Sequence, residues 1–146
     1  MLTYQEMKLE DISELAKMYV ETFNAAPWND KWTIETASKR LHQMINVEDF
    51  YGVCAYSSDQ LCGMIIGSTE QYYDGVIFRI KEFCVKNGMR GQGIGGKILH
   101  EFEARLKERG VDKIILSTAK GEDTQHFYEK HNLEWYPEMI LMGKEI

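Results

Sequence analysis

Between Asn87 and Lys97 the chain places Gly88, Gly91, Gly93, Gly95 and Gly96, five glycines within nine residues. An apolar, strand-like run from Val76 to Val85 precedes them. A helical stripe follows, with Ile94, Ile98, Leu99, Phe102 and Leu106 on one face and Gly110 where a C-terminal cap belongs. This stretch must therefore fold as strand, tight bend and helix. One glycine would suffice for the bend. Five let a ligand approach the backbone closely and turn N–H groups inward, and the helix N-terminus adds partial positive charge. Together they form an anion site, most naturally for a phosphate or pyrophosphate.

The flanking patterns set the fold class. Met1 to Met7 alternates as an edge strand would. Asp11 can cap a helix carrying Ile12, Leu15, Ala16, Tyr19 and Phe23, and Thr33 starts a second with Ile34, Ala37, Leu41, Met44 and Ile45 on its apolar face. Strand period then takes over. Tyr51–Ser57, Leu61–Gln71 and Val76–Val85, with turns at 58–60 and Asp74-Gly75, form an antiparallel meander. Lys113–Thr118 returns as a strand to close a βαβ unit. A short helix from Asp123 to His131 and a last strand from Met139 to Glu145 complete the chain. The expectation is α+β: a mixed, mostly antiparallel sheet flanked by helices, with a central βαβ unit, in a single domain over residues 1–146.

Composition narrows the function. A hydrophobic fraction of 44% and a charged fraction of 27% are those of an ordinary globular protein. No apolar run approaches the roughly 20 residues that cross a bilayer, and the N-terminus lacks a secretory pattern, so a cytoplasmic protein without a membrane partner is expected. A net charge of −6 weighs against nucleic acid. Cys54, Cys62 and Cys84 lie in apolar runs without a CxxC pair and read as buried, reduced thiols; the four histidines show no metal-binding spacing, so no metal is expected.

Three phosphate motifs overlap in the glycine stretch. Gly91-x-Gly93-x-x-Gly96 satisfies a dinucleotide fingerprint, but the next strand ends Ser117-Thr118-Ala119-Lys120 without the acidic residue that motif needs. Gly91-x-x-x-x-Gly96-Lys97 lacks the Ser or Thr of a Walker loop, because position 98 is Ile. Arg90-Gly91-Gln92-Gly93-Ile94-Gly95 matches Q/R-x-x-G-x-G/A. With the element order, Phe83-Cys84-Val85 upstream and Phe127-Tyr128-Glu129-Lys130 downstream, the sequence resembles the GNAT N-acyltransferase superfamily along almost its whole length.

That resemblance implies an acetyl-CoA-dependent N-acetyltransferase in which the amine attacks directly in a ternary complex. Backbone amides around Arg90, Gly91, Gln92, Gly93, Gly95 and Gly96 would bind the pyrophosphate of coenzyme A. Backbone groups of Phe83 and Val85 would pair with the pantetheine arm. Tyr128 would protonate the departing thiolate; its alternative role is a core aromatic beside Phe127. Two departures stand out: Gly121 replaces a frequent Asn, and Asn132-Leu133 replaces a usual Gly-Phe.

Glu82, a carboxylate inside an apolar strand, is the candidate base, sharing a face with Ile80 and Cys84 by alternation; burial would raise its pKa. It is equally readable as a strand residue salt-bridged to Arg79 or Lys81. Cys84 reads as core packing rather than a ping-pong nucleophile. Trp28, Trp32, Tyr72 and Tyr73 lie in loops that border the acceptor site in the family, and aromatic walls suit a cation or a flat ring. The expected acceptor is a primary amine of a small molecule. A protein lysine or N-terminus is the alternative within the family, and a non-catalytic acyl-CoA sensor the alternative outside catalysis. The expected assembly is a monomer or homodimer.

Overall fold

A computed structural model describes residues 1–146, which divide into two units, Met1–Ile115 and Leu116–Ile146. In the first unit the hairpins follow their turn residues. β2 (Phe50–Ser57) and β3 (Gln60–Tyr72) reverse at Ser58 and Asp59, with φ of 50° and 64°, as a two-residue turn between right-twisted strands requires. β4 (Gly75–Val85) pairs antiparallel with β3, and β1 (Leu2–Glu6) with β2. β5 (Lys113–Leu116) ends the sheet, whose order is β1-β2-β3-β4-β5. The Asp112 amide donates to the Val76 carbonyl at 2.9 Å, and the Val76 amide to the Asp112 carboxylate at 2.8 Å. β5 thus starts level with β4 after a helical crossover and runs parallel to it, and the sheet is mixed.

Alternate residues of the strands supply two cores. α1 (Ile12–Phe23) and α2 (Ile34–Ile45) bury Leu15, Ala16, Tyr19, Leu41 and Met44 against Cys54, Met64, Ile66 and Cys84. α3 (Ile94–Glu108) covers the other face, where Phe102 packs on Tyr51 and Phe78 at ring distances of 5.6 and 5.2 Å. The whole expected stripe of α3 is buried. Its C-terminus closes as the glycine cap foretells: Gly110 takes φ +83°, its amide bonds to the Lys107 carbonyl, and the Val111 amide reaches the Leu106 carbonyl. At the start of α2, Thr33 and Thr36 exchange side-chain to backbone hydrogen bonds. Asp11 acts differently from expectation. Its carboxylate accepts from the Lys8 amide of a preceding 3₁₀ turn rather than capping α1.

β4 departs from simple alternation. Ile66 stands opposite Glu82 but Gly67 opposite Ile80, so Lys81 is an extra residue, a bulge. A bulge reverses which face the following residues present. Ile80 stays with Phe78 on the α3 face, while Glu82 and Cys84 turn to the α1/α2 face, opposite Ile66. Glu82 therefore shares a face with Cys84 but not with Ile80. Gly67 fits the bulge because a Cβ there would collide with the Arg79 carbonyl.

In the second unit, α4 (Glu122–Lys130) starts at Gly121 and carries Phe127 and Tyr128, whose rings meet at 5.2 Å. Its end explains one departure from the family pattern. Asn132 takes φ +70°, its amide bonds to the Glu129 carbonyl and the Leu133 amide to the Tyr128 carbonyl, the same cap that Gly makes in α3. The strand expected from Met139 to Glu145 is not formed. Alternation alone makes no strand without a neighbour to take its N–H and C=O groups, and Ile140, Leu141 and Met142 are all exposed.

Candidate active site

Where β4 ends, the Lys86 amide continues the ladder to the Cys62 carbonyl, and the chain then turns through Gly88 (φ +86°), Gly91 (+81°) and Gly93 (+76°). L-residues avoid this region, so glycine is required at each bend. Gly93 is the N-cap of α3 in a left-handed conformation, and no side chain caps the helix. Nothing lies within 4 Å of where a Cβ would stand on Gly88, Gly91 or Gly93. The result is an open cradle at a positive helix end, with first-turn amides unclaimed by side chains. These residues fit a pyrophosphate.

The Arg90 side chain does something else. Its Nη2 donates to the Ala26 carbonyl (3.3 Å) and to Asn87 Oδ1 (3.0 Å), and its guanidinium lies 4.9 Å from the centre of the Trp28 ring. The Arg90 side chain therefore faces the segment between α1 and α2. β5, four residues against eleven in β4, stops before the level of Val85.

Beyond the bulge, Glu82 meets two partners from the helices. Its Oε1 accepts from Tyr19 OH at 3.0 Å, Arg40 Nε at 2.9 Å and Arg40 Nη2 at 2.8 Å. All three bonds converge on one oxygen, leaving Oε2 for another donor. The salt-bridged alternative for Glu82 thus holds, but with Arg40 rather than Arg79 or Lys81. Arg79 is bound to Glu70 at 3.1 Å, and Lys81 is the exposed bulge residue. Burial works against the charge on Arg40, yet the hydrogen bond and charge of Glu82 raise its pKa. Tyr19 is held as a neutral donor: burial first, then the Glu82 charge, push its pKa upward. Neither partner was foreseen. From spacing alone Tyr19 is a residue of the apolar face of α1. The signal for Arg40 was its spacing, three residues from buried Ala37 and four from buried Met44, where a charge needs a partner.

An aromatic chain joins the two features. Tyr19 packs on Phe23 (4.7 Å) and edge-on to Trp32 (5.0 Å), and Phe23 packs on Trp28 (5.1 Å), which lies under Arg90. Asp30, Lys31, Trp32 and Thr36 line a solvent-open hollow of about 460 Å³, and Trp32 Nε1 donates to Asp30 Oδ2 at 3.0 Å. Trp28 and Trp32 thus belong with Glu82. Tyr72 and Tyr73 do not: they sit at the β3–β4 turn, about 20 Å along β4 from Glu82 at ~3.3 Å per residue. Cys84 is buried and its thiol is pushed up by burial and then by Glu82, as a packing residue rather than a nucleophile. No group of three or more His, Cys, Asp or Glu is placed to hold a metal ion. Tyr128 stands half-buried on α4 of the second unit.

Residues 12–133 match the model of the "Acetyltransferase (GNAT) family". Acetyltransferase SG1711 of Sodalis glossinidius is 26% identical over 138 residues, 94% of this chain and 90% of that protein. Among solved structures, one described as a possible acetyltransferase from Clostridium difficile 630 superposes with a TM-score of 0.83 at 14% identity, covering 99% of this chain and 98% of its own. An aminoglycoside acetyltransferase from an uncultured soil metagenomic sample, solved with sisomicin, gives 0.73 at 17% identity, covering 99% and 95%. At such identities these two likenesses establish the fold.

Proposed function

The chain belongs to the acetyltransferase (GNAT) family, with acetyl-CoA as acyl donor, and on that premise we propose that it acetylates a primary amine of a small molecule by direct attack in a ternary complex. The observation that carries this is the open cradle of Gly88, Gly91 and Gly93 at the uncapped start of α3, shaped for a pyrophosphate. Backbone amides from Arg90 through Gly91, Gln92, Gly93, Gly95 and Gly96 bind it, and backbone groups of Phe83 and Val85 hold the pantetheine arm. The Asp30 carboxylate in the shallow, solvent-open hollow beside Trp32 suits an ammonium group. Residues 1–146 act as one domain, since the family match crosses from the first unit into the second. We place it in the cytoplasm as a monomer or homodimer.

In this mechanism the neutral amine nitrogen attacks the thioester carbon, the C–N bond forms and the C–S bond breaks. The amine proton passes to Glu82 Oε2, directly or through a water, while Tyr19 and Arg40 keep Oε1 fixed. The thiolate leaves with a proton from the Tyr128 phenol. A thiol pKa near ~8.5 against about 10 for a phenol makes that transfer mildly uphill in water and within reach in a site. Cys84 takes no part.

Thermal denaturation tests the donor. Acetyl-CoA at about a hundred times its Kd should stabilise the fold by roughly 2.7 kcal/mol, because it binds only the native state. NAD, or ATP with Mg²⁺, should do far less. A larger shift with either nucleotide would overturn the assignment of the loop. A panel of small amines, read by thiol release, then identifies the acceptor.

A further inference from the structure

We propose that Arg90 is a positioning residue that couples the pyrophosphate loop to the acceptor wall, so that acetyl-CoA binding orders residues 24–33; this rests on the acetyl-CoA reading of the loop. Arg90 belongs to the loop by its backbone, yet its side chain spans to another element. Both Nη2 bonds, to Ala26 and Asn87, and the stacking over Trp28 hold that span. Asn87 extends it, donating from Nδ2 to the Glu21 carbonyl of α1 at 2.7 Å.

The loop itself is glycine-rich and held by little. Gln92 Nε2 reaches the Gly88 carbonyl at 3.3 Å, and the Met89 amide the Lys86 carbonyl at 3.1 Å. A pyrophosphate on its amides removes most of that freedom, and Arg90 transmits the restriction through rigid contacts. Trp28 packs on Phe23, Phe23 on Tyr19, and Tyr19 bonds to Glu82. The segment between α1 and α2 has local anchors of its own: Trp32 N to Asn24 Oδ1 at 2.7 Å, Asp30 N to the Phe23 carbonyl at 2.9 Å, and Asn29 N to the Ala25 carbonyl at 3.0 Å. Those three amides report its order.

Amide hydrogen exchange of the peptide covering residues 24–33, with and without saturating acetyl-CoA, tests this. In the wild-type chain acetyl-CoA should slow exchange there by about tenfold, within the usual range of coupling between sites. In Arg90→Gln, and in Arg90→Lys, which keeps the charge but loses the planar fork, exchange should slow less than about twofold while acetyl-CoA still binds, as followed by its thermal shift. Full protection in both variants overturns the coupling. Loss of acetyl-CoA binding in both makes the side chain a phosphate ligand, and overturns it too. Bound acetyl-CoA with unchanged exchange in the wild type does the same. A wild-type chain that binds no acetyl-CoA instead overturns the reading of the loop beneath it.

Discussion

Glu82 and the glycine loop lie within fifteen residues of each other in sequence, yet the loop and the Glu82 cluster satisfy their polar groups in opposite ways. The loop leaves helix-end amides exposed, spaces its bends with glycine and closes nothing over them. The cluster closes on itself: one carboxylate oxygen gathers Tyr19 OH, Arg40 Nε and Arg40 Nη2, and the Tyr19 ring is braced by the packed core. Open groups await a ligand and contribute little to the fold. Closed groups hold the fold and leave one atom, Oε2, for chemistry. Substitutions in the two regions should therefore fail differently.

The loop should fail in binding. Gly93→Val places a branched side chain into the cradle and forces an L-residue to φ +76°. Because nothing crowds that Cβ, the cost to the fold is confined to backbone strain, about 1–2 kcal/mol. The acetyl-CoA thermal shift should disappear while the variant still melts cooperatively. An undiminished shift would mean that the anion binds elsewhere.

Tyr128→Phe comes next in size and belongs to neither region, since Tyr128 lies in the second unit. Deleting only the hydroxyl should lower kcat by about 10²-fold, the usual scale for one general acid, with acetyl-CoA affinity unchanged. A change confined to KM would make Tyr128 a binding residue.

What the sequence disclosed follows the same division. The stripe of α3 and the hairpin turns were legible because each depends on local spacing: 3.6-residue period, a two-residue turn, a glycine cap. The cradle was legible because glycine density has few structural excuses. The Glu82 partners were not, since Arg40 lies 42 residues away and only the folded sheet brings it close. The bulge at Lys81 was hidden because β4 mixes apolar residues with Arg79, Lys81 and Glu82 across both faces, and one extra residue leaves no clear mark on such a pattern. The direction of the Arg90 side chain was equally hidden; a motif names its backbone role and says nothing of Ala26 or Trp28. The final strand failed for the converse reason, a local pattern without a partner.

Glu82→Gln probes the closed region with a smaller expected effect. The amide keeps an oxygen for Tyr19 and Arg40 but removes the base. Since the Glu82 side chain is 15% exposed, water can take over part of the role, so turnover should fall by about tenfold, below the ~10² usual for a general base. The loss should be greatest at low pH, where the amine is most protonated. An unchanged pH–rate profile would leave Glu82 as the structural counterpart of Arg40 alone.

The smallest effect concerns the core behind that cluster, where alkaline pH should weaken the first unit without touching the loop. Burial, then the charges of Asp11 and Glu14, push the Cys54 thiol up to about 12 from an ordinary 9.0. Cys84 and Tyr19 move in the same direction, each by burial first and Glu82 second. An acid whose folded pKa is raised stays neutral in the native state after its unfolded counterpart has ionised. The stability it contributes is complete below pH 9 and is lost as pH climbs from there toward 12. At pH 10 the share of Cys54 alone is about 1 kcal/mol. Melting curves at pH 7.5 and 10 should show the decline, and Cys54→Ala should shrink the difference between the two while lowering stability at both. The loop has no such thiol, so Gly93→Val should decline with pH as the wild type does. If Cys54→Ala loses as much between those pH values as the wild type, the alkaline weakness lies outside the core packed against β4.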